Sequence, residues 1–281
     1  MSESQSAGLA EPPIPPGACD CHFHVFGPTA RFPYAEGRSF TPPEAPVDAY
    51  RALMAGLGLE RAVIVQPSVY ATDNRCTLDA IARLGPACRG VAVISGGESE
   101  QELSRLHDAG IRGVRFNLLY KGGPSLDALE RVADRIKTFG WHVQLLVDGR
   151  ELAEIRPRLA ALPVDIVVDH LGHMPASCGV DHPGFRALIA LAREGRSWVK
   201  LSGAYRVSEL GSPFGDATPF AHALIAAAPE RLVWGTDWPH PAYDGPAPDD
   251  ALLLELLRRW AGDAERLRKI LVDNPARLYG F

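Results

Sequence analysis

Eight short β-rich runs, separated by segments with helical apolar spacing, constrain this chain more than any other feature. The runs are Ala18–Phe26, Ala62–Gln66, Gly90–Ile94, Gly113–Asn117, His142–Val147, Asp165–His170, Trp198–Ser202 and Leu232–Thr236. Several are apolar on both faces, as in Val63-Ile64-Val65 and Ile166-Val167-Val168, which is the habit of parallel strands covered by helices. Between them, Ala80-Ile81-Leu84, Leu103-Leu106, Leu126-Leu129-Val132-Ile136 and Leu252-Leu253-Leu256-Leu257 carry the helical period. Such alternation leaves two architectures, a closed barrel and a doubly wound open sheet. Eight is the barrel count. Polar residues also recur at the C-terminal ends of the runs (His24, Gln66, Arg115, Asn117, His170, Ser202, Asp237), where a barrel builds its active site. An open sheet would gather chemistry at one switch point. The predicted fold is α/β, a (β/α)8 TIM barrel in a single domain. A chain of 281 residues, 46% hydrophobic, is large enough to fill it.

Residues 1–18 read as a Pro-rich N-terminal arm, and residues 19–281 as the barrel. Thr41–Pro46 is a loop after the first strand, and no internal repeat is found. A net charge of −5 without a basic block argues against nucleic acid or an anionic membrane as partner. No apolar run approaches the ~18 residues of a membrane span. The start lacks a basic, then apolar, secretory leader, so the expected location is cytoplasmic. The five cysteines are odd in number and scattered, so free thiols are expected rather than a disulfide framework. Cys19 and Cys21 lack the second pair that a zinc finger needs. A monomer or homodimer is expected.

The chemistry concentrates in three stretches. Residues two apart on a strand face the same side, so His22 and His24 both point into the barrel mouth. Two buried imidazoles must be hydrogen-bonded or ligating, because leaving a polar group unpaired costs ~1–3 kcal/mol. The second stretch ends a buried strand with Asp169-His170-Leu171-Gly172-His173, and the third ends another with Gly235-Thr236-Asp237-Trp238-Pro239-His240. A carboxylate beside neutral imidazoles in a dry cleft can act as a general base. Satisfied structural histidines could explain any one stretch, but three together point to catalysis.

These motifs, with the closing Asn274-Pro275-Ala276-Arg277-Leu278-Tyr279, resemble the amidohydrolase superfamily. Within it the chain resembles the lactonase branch typified by the 2-pyrone-4,6-dicarboxylate lactonases, from about Pro16 to Tyr279. The resemblance implies a hydrolytic centre of His22, His24, His170 and Asp237. Arg115, Arg206, Ser68 and His240 would hold a small anionic lactone: a pyrone, a muconolactone or a sugar-acid lactone. The chain departs from the branch at Lys121 and His173, where arginines are expected, and at Leu146 and Phe40, where tyrosines are. Lys121 and His173 are read as weaker substrate contacts, since a point charge does not replace a planar bidentate guanidinium. The dicarboxylate pyrone is therefore expected to be a poor substrate.

His22, His24, His170 and Asp237 could also hold one Zn2+ with a water position. Against this, Arg115 shares the mouth, and a unit of metal charge 4 Å from it repels by ~4 kcal/mol at an effective dielectric near 20. No cofactor is therefore expected to be required. A metal-dependent decarboxylase is the alternative enzyme, and a non-catalytic binding protein a third reading. Gly56-Leu57-Gly58 precedes its strand and lacks the third glycine of a dinucleotide loop, and no Gly-x-Ser-x-Gly elbow occurs. Ser202 reads as a hydrogen-bonding strand end, and Lys200 as a buried ion-pair partner or a substrate contact. His142 lies at the wrong end of its strand and reads as structural. His107, His182 and His222 read as surface residues, Trp234 as core and Trp238 as a pocket wall. Gly122-Gly123 allows a lid or an ordinary loop.

Overall fold

Every predicted run overlaps a strand of the computed structural model, which describes residues 12–120 and 123–281. In order these are β1 (Cys19–Phe23), β2 (Arg61–Val65), β3 (Cys88–Ala92), β4 (Ile111–Asn117), β5 (His142–Leu146), β6 (Ile166–Val168), β7 (Ser197–Lys200) and β8 (Leu232–Val233). All neighbouring pairs are parallel, in the order β1 to β8. Closure is made by the segment after β8. Cys21 N donates to Trp234 O at 2.8 Å, Asp237 N to His22 O at 2.7 Å and His24 N to Trp238 O at 2.8 Å. The chain is therefore a TIM barrel.

The outer layer contains α1 (Val47–Gly56), α2 (Arg75–Leu84), α3 (Glu100–Asp108), α4 (Leu129–Ile136), α5 (Leu152–Ala160) and α6 (Pro183–Arg193). α7 (Ala204–Val207) follows β7 at the barrel mouth, and the chain goes on through α8 (Thr218–Ala227), α9 (Asp250–Ala261), α10 (Ala264–Arg268) and α11 (Asn274–Tyr279). Local signals fix their starts. Ser99 and Glu102 form a reciprocal capping box on α3, and Pro183 stands at the head of α6 behind a His182 cap that accepts from Gly184 N. Two strands stop earlier than their apolar runs suggest. β6 gives way at His170 and Leu171, whose φ angles are 51° and 54°, and the stretch after β8 turns at Asp237, φ 64°. Left-handed backbone ends a strand and turns the side chain out of its alternation.

Inside the barrel, Cys21, Val63, Val65, Val91, Val167 and Trp198 pack together, with Tyr279 among them. This filled column leaves the C-terminal mouth for chemistry. Of the predicted arm, residues 1–11 lie outside the described residues. Pro12 O accepts from Arg258 Nε at 2.7 Å, and Gly17 O accepts from Arg61 Nε at 2.6 Å. No helix among the described residues is long and apolar enough to cross a membrane.

The barrel seam is pinned by Asp20, which is fully buried. Its Oδ1 accepts from His22 N (2.9 Å) and Thr236 N (3.0 Å), and its Oδ2 from Thr236 Oγ1 (2.7 Å) and Tyr50 OH (3.0 Å). Gly235 permits this approach, since a Cβ there would lie 2.5 Å from His22 N. Burial outweighs these donors and pushes the Asp20 carboxyl up to about 6. A raised carboxyl favours the fold at low pH, and that contribution is lost as pH rises through the folded value. Between about pH 5 and about pH 7 the group should withdraw about 1 kcal/mol of stability. Urea denaturation of the wild type and Asp20→Asn at both pH values should show that slope in the wild type alone. Equal slopes would refute it.

Candidate active site

The strand ends deliver His24, Ser68, Arg115, His170, His173, Arg206 and Asp237 to the wall of one cavity at the barrel mouth. Phe40, from the loop after β1, meets Tyr120, from the loop after β4, edge-on at 5.9 Å, and both line the same cavity. The free volume inside is ≈ 20 Å³, room for about one water. Leu146 lines it as well, so one wall is apolar and the other cationic.

Asp237 is the hub. Its Oδ2 accepts from Tyr205 OH and from Arg206 Nε, both at 2.6 Å, and lies 3.6 Å from His170 Nε2. Its Oδ1 lies 3.4 Å from His24 Nε2 and 3.7 Å from His22 Nε2. Burial opposes the Asp237 charge, but Arg206 and the neighbouring histidines hold it well below the usual carboxylate range. The backbone here is unusual: Asp237, His240 and Ala242 all have φ between 54° and 64°. Non-glycine residues hold such angles only where the surroundings fix them, and they cluster at functional sites.

Beneath the hub lies a second charged layer. Asp169 Oδ1 is 3.3 Å from His22 Nδ1 and 3.4 Å from Lys200 Nζ. Its Oδ2 accepts from Gln144 Nε2 at 3.1 Å and lies 3.7 Å from Arg115 Nη2. Burial again opposes the charge, and Lys200 and His22 overcome it, so Asp169 too is held well below its ordinary value. Lys200 is fully buried and donates to Cys21 O (2.8 Å) and Gln144 Oε1 (2.9 Å). Its ion-pair role is the one the geometry carries.

The imidazoles are held neutral. Burial lowers His22 and His24, with Lys200 adding to the effect on His22, and burial pushes His170 down to about 3. Hydrogen bonds then fix one tautomer. His24 Nδ1 lies 2.7 Å from Val65 O; a carbonyl only accepts, so Nδ1 carries the proton and Nε2 presents a lone pair. His22 Nδ1 faces both Lys200 Nζ at 3.1 Å, a donor, and Asp169, an acceptor, so either tautomer has a partner. His170 Nδ1 meets Ser202 Oγ at 2.9 Å, and if that hydroxyl donates, Nε2–H faces the cavity.

A tetrahedral zinc with bonds of ~2.0–2.1 Å sets its donor atoms about 3.3 Å apart. His22 Nε2 and His24 Nε2 are 3.2 Å apart, and both lie within 3.7 Å of Asp237 Oδ1. The far nitrogens of both rings have the backbone or carboxylate partners that orient ligating histidines. These three residues therefore fit a divalent ion. His170 meets Asp237 through the other oxygen, and groups instead with His22 and Asp169.

The structure thus assembles His22, His24, His170 and Asp237 in direct contact, with His22 below the other three and fully buried. Arg115, Arg206, Ser68 and His173 reach the cavity. His240 does not line it: its Nδ1 is 3.1 Å from Tyr205 OH and its Nε2 3.4 Å from Asp250 Oδ1. Lys121 and Gly122 lie outside the described residues. Trp238 is no pocket wall, since it packs against Tyr50 at 5.6 Å. His107 is not simply a surface residue, since it accepts from Trp141 Nε1 at 2.9 Å. His142 is buried below the site, edge-on to Tyr279 at 5.3 Å. Sequence reasoning missed Asp169, Gln144, Tyr205 and Asp250. Strand alternation from Val167 could have found Asp169, and nothing local marks the other partners.

The chain matches the family described as Amidohydrolase over residues 19–281 and belongs to it. It is 43% identical to a 4-sulfomuconolactone hydrolase of Rhizobium radiobacter over 95% of this chain and 91% of that protein. It is 40% identical to a 2-pyrone-4,6-dicarboxylate hydrolase of Comamonas testosteroni, again over 95% and 91%. Among solved structures, a protein of Agrobacterium tumefaciens superposes with a TM-score of 0.89 at 34% identity, covering 96% of this chain and 98% of that one.

The buried Asp169–Lys200 pair makes a stability test. Lys200→Met strips Asp169 of its nearest ammonium, and breaking a buried pair from one side costs about 3–5 kcal/mol. Urea denaturation should show that loss, with partial recovery in Lys200→Met/Asp169→Asn. A loss under about 1 kcal/mol would mean that Arg115 and Gln144 suffice for Asp169.

Proposed function

We propose that this chain is a lactonase that opens the ring of a small carboxylated lactone by water attack on the ester carbonyl. One observation carries the reading: the Asp237 carboxylate and the buried Arg115 guanidinium line one cavity at the barrel mouth. Arg115 is buried, donates from Nη1 to Gln66 O at 3.2 Å, and has no hydrogen-bond partner at Nε. A buried donor left unpaired costs ~1–3 kcal/mol, which an anionic ligand group relieves. The relatives named as hydrolases of sulfomuconolactone and pyrone dicarboxylate act on compounds of this class.

The residues divide the work. Phe40 and Tyr120 part to admit the ring, and Arg115, with Ser68 and the remaining Nη1 of Arg206, binds its carboxylate. Water lies between two acceptors, Asp237 Oδ1 and His24 Nε2. Asp237 takes one proton as the oxygen attacks the carbonyl carbon. The oxyanion meets His170 Nε2–H and the Arg115 guanidinium. His24 does not serve it, because its single proton is committed to Val65 O. As the tetrahedral centre collapses, the ring C–O bond breaks and the proton on Asp237 passes to the leaving oxygen. The product is a hydroxy acid.

A panel of carboxylated lactones read by proton release tests this. Turnover of a monocarboxylate lactone is expected, with the dicarboxylate pyrone weaker by at least about tenfold, since Leu146, Phe40 and His173 offer no second guanidinium. Asp237→Asn should lose more than about a thousandfold in kcat while staying folded. Near-wild-type hydrolysis by that variant would remove Asp237 as base. Release of carbon dioxide in place of a proton would move the enzyme to the decarboxylase class.

A zinc ion held by His22, His24 and Asp237 would supply Lewis acidity and a water of lowered pKa. Hydrolysis is proposed to proceed without it. Arg115, Arg206 and Lys200 already set three positive charges against the two of Asp169 and Asp237, and a dication would deepen that excess. Activity should survive exhaustive chelation, with sub-stoichiometric metal by elemental analysis. Stoichiometric zinc, with activity lost on its removal and restored on its return, would overturn the metal-free route.

A further inference from the structure

Behind Asp237 runs a chain of buried polar contacts that leads away from the cavity. Tyr205 OH is 2.6 Å from Asp237 Oδ2, His240 Nδ1 is 3.1 Å from Tyr205 OH, and Asp250 Oδ1 is 3.4 Å from His240 Nε2. Tyr205, His240 and Asp250 are 2%, 8% and 9% exposed. Neither His240 Nε2 nor Asp250 Oδ1 makes a hydrogen bond among the described residues, so the 3.4 Å contact between them is a charge contact only. They come from different parts of the fold: Tyr205 from α7, His240 from the loop after β8, Asp250 from the first turn of α9.

The direction of each link follows from what each group can do. A carboxylate only accepts, so the Tyr205 hydroxyl gives its proton to Asp237. Its oxygen must then accept from His240, which puts a proton on Nδ1. Asp250, 3.4 Å from Nε2, is the charged group on the far side of the ring. We propose that Asp250 and His240 are positioning residues. They lock the Tyr205 hydroxyl onto Asp237 Oδ2, so that Oδ1 remains the oxygen presented to water.

Resting on the lactonase reading, this gives His240 a place behind the base instead of a hand on the substrate. Arg206 completes the clamp from the other side of Oδ2 at 2.6 Å and is itself tied to Pro241 O at 2.9 Å. With Oδ2 held by two donors, the carboxylate cannot rotate to exchange its oxygens. The strained loop fits this role. His240 N donates to Asp237 O at 2.7 Å, and both residues are left-handed. The same turn that presents Asp237 to the cavity thus carries His240 to its back.

Two measurements test the chain. With a lactone that the wild type hydrolyses, Tyr205→Phe and His240→Ala should each lower kcat about 10- to 100-fold, the worth of a hydrogen bond to a charged group. KM should stay within about twofold. The double variant should be no slower than Tyr205→Phe, because His240 acts only through Tyr205. His240→Asn, which can still aim an amide N–H at the phenol, should recover much of the loss. Losses that multiply in the double variant, or a raised KM with unchanged kcat in His240→Ala, would overturn the chain and return His240 to the substrate. The second measurement needs no substrate: 15N NMR of the imidazoles at neutral pH. His240 Nδ1 should carry a proton, and its signal should move in Tyr205→Phe. An unprotonated Nδ1 overturns the proposal even if the wild type proves inert on every lactone, a result that would defeat the lactonase reading alone.

Discussion

Where β1 meets the segment after β8, four donors converge on the buried Asp20 carboxylate and draw two distant stretches of chain into register. His22 and His24 stand on one side of that seam, and Thr236 and Asp237 on the other. Because Asp237 N donates to His22 O, the hub carboxylate sits one backbone hydrogen bond from the first imidazole. The contacts of 3.4 to 3.7 Å between Asp237 Oδ1 and the two rings follow from this register. A one-residue slip would turn every one of these side chains to the opposite face. Gly235 is the steric condition for the seam, since only a missing side chain lets the backbone come so close.

Above the seam, the site is stacked by charge. Asp169 and Asp237 occupy two levels, and each is ionised only because cations reach it: Lys200 and Arg115 below, Arg206 above. Neutral imidazoles fill the space between. This arrangement resolves the usual conflict between burial and charge, since each anion has a partner and each partner has further hydrogen bonds. Two buried atoms of the stack are left without a hydrogen bond, Arg115 Nε and Asp169 Oδ1. Of the two residues, Arg115 is the one that also lines the cavity.

Asp237 is also held from behind, which sets this site apart from a carboxylate merely placed in a cleft. Tyr205 and Arg206 occupy one oxygen and leave the other to the cavity. Preorganisation of this kind matters because a base that must first rotate spends part of its advantage on that motion. Tyr205 and Arg206 are adjacent on α7, a single short helix entered through the left-handed Gly203. The clamp is therefore built by one turn of chain.

The barrel was legible because its signals are local. Eight β-rich runs with helical spacing between them need no tertiary information, and hydrophobic periodicity survives in any one sequence. The clustering of four side chains was legible too: His22 and His24 share a strand face, His170 and Asp237 follow buried strands, and the fold brings all four together. What the sequence could not hold is the set of partners across the fold. Asp250 lies 3.4 Å from His240 only because α9 packs its first turn against the loop after β8. Tyr205 reaches Asp237 across 32 residues of separation. The same limit explains why His240, read in sequence as a substrate contact, faces the other way: the left-handed backbone at Asp237 and His240 rotates the chain between them. Residue types and strand-end positions follow from local pattern. Tautomers, charge partners and the direction of each hydrogen bond follow from contacts between distant segments, and only the folded barrel brings those together.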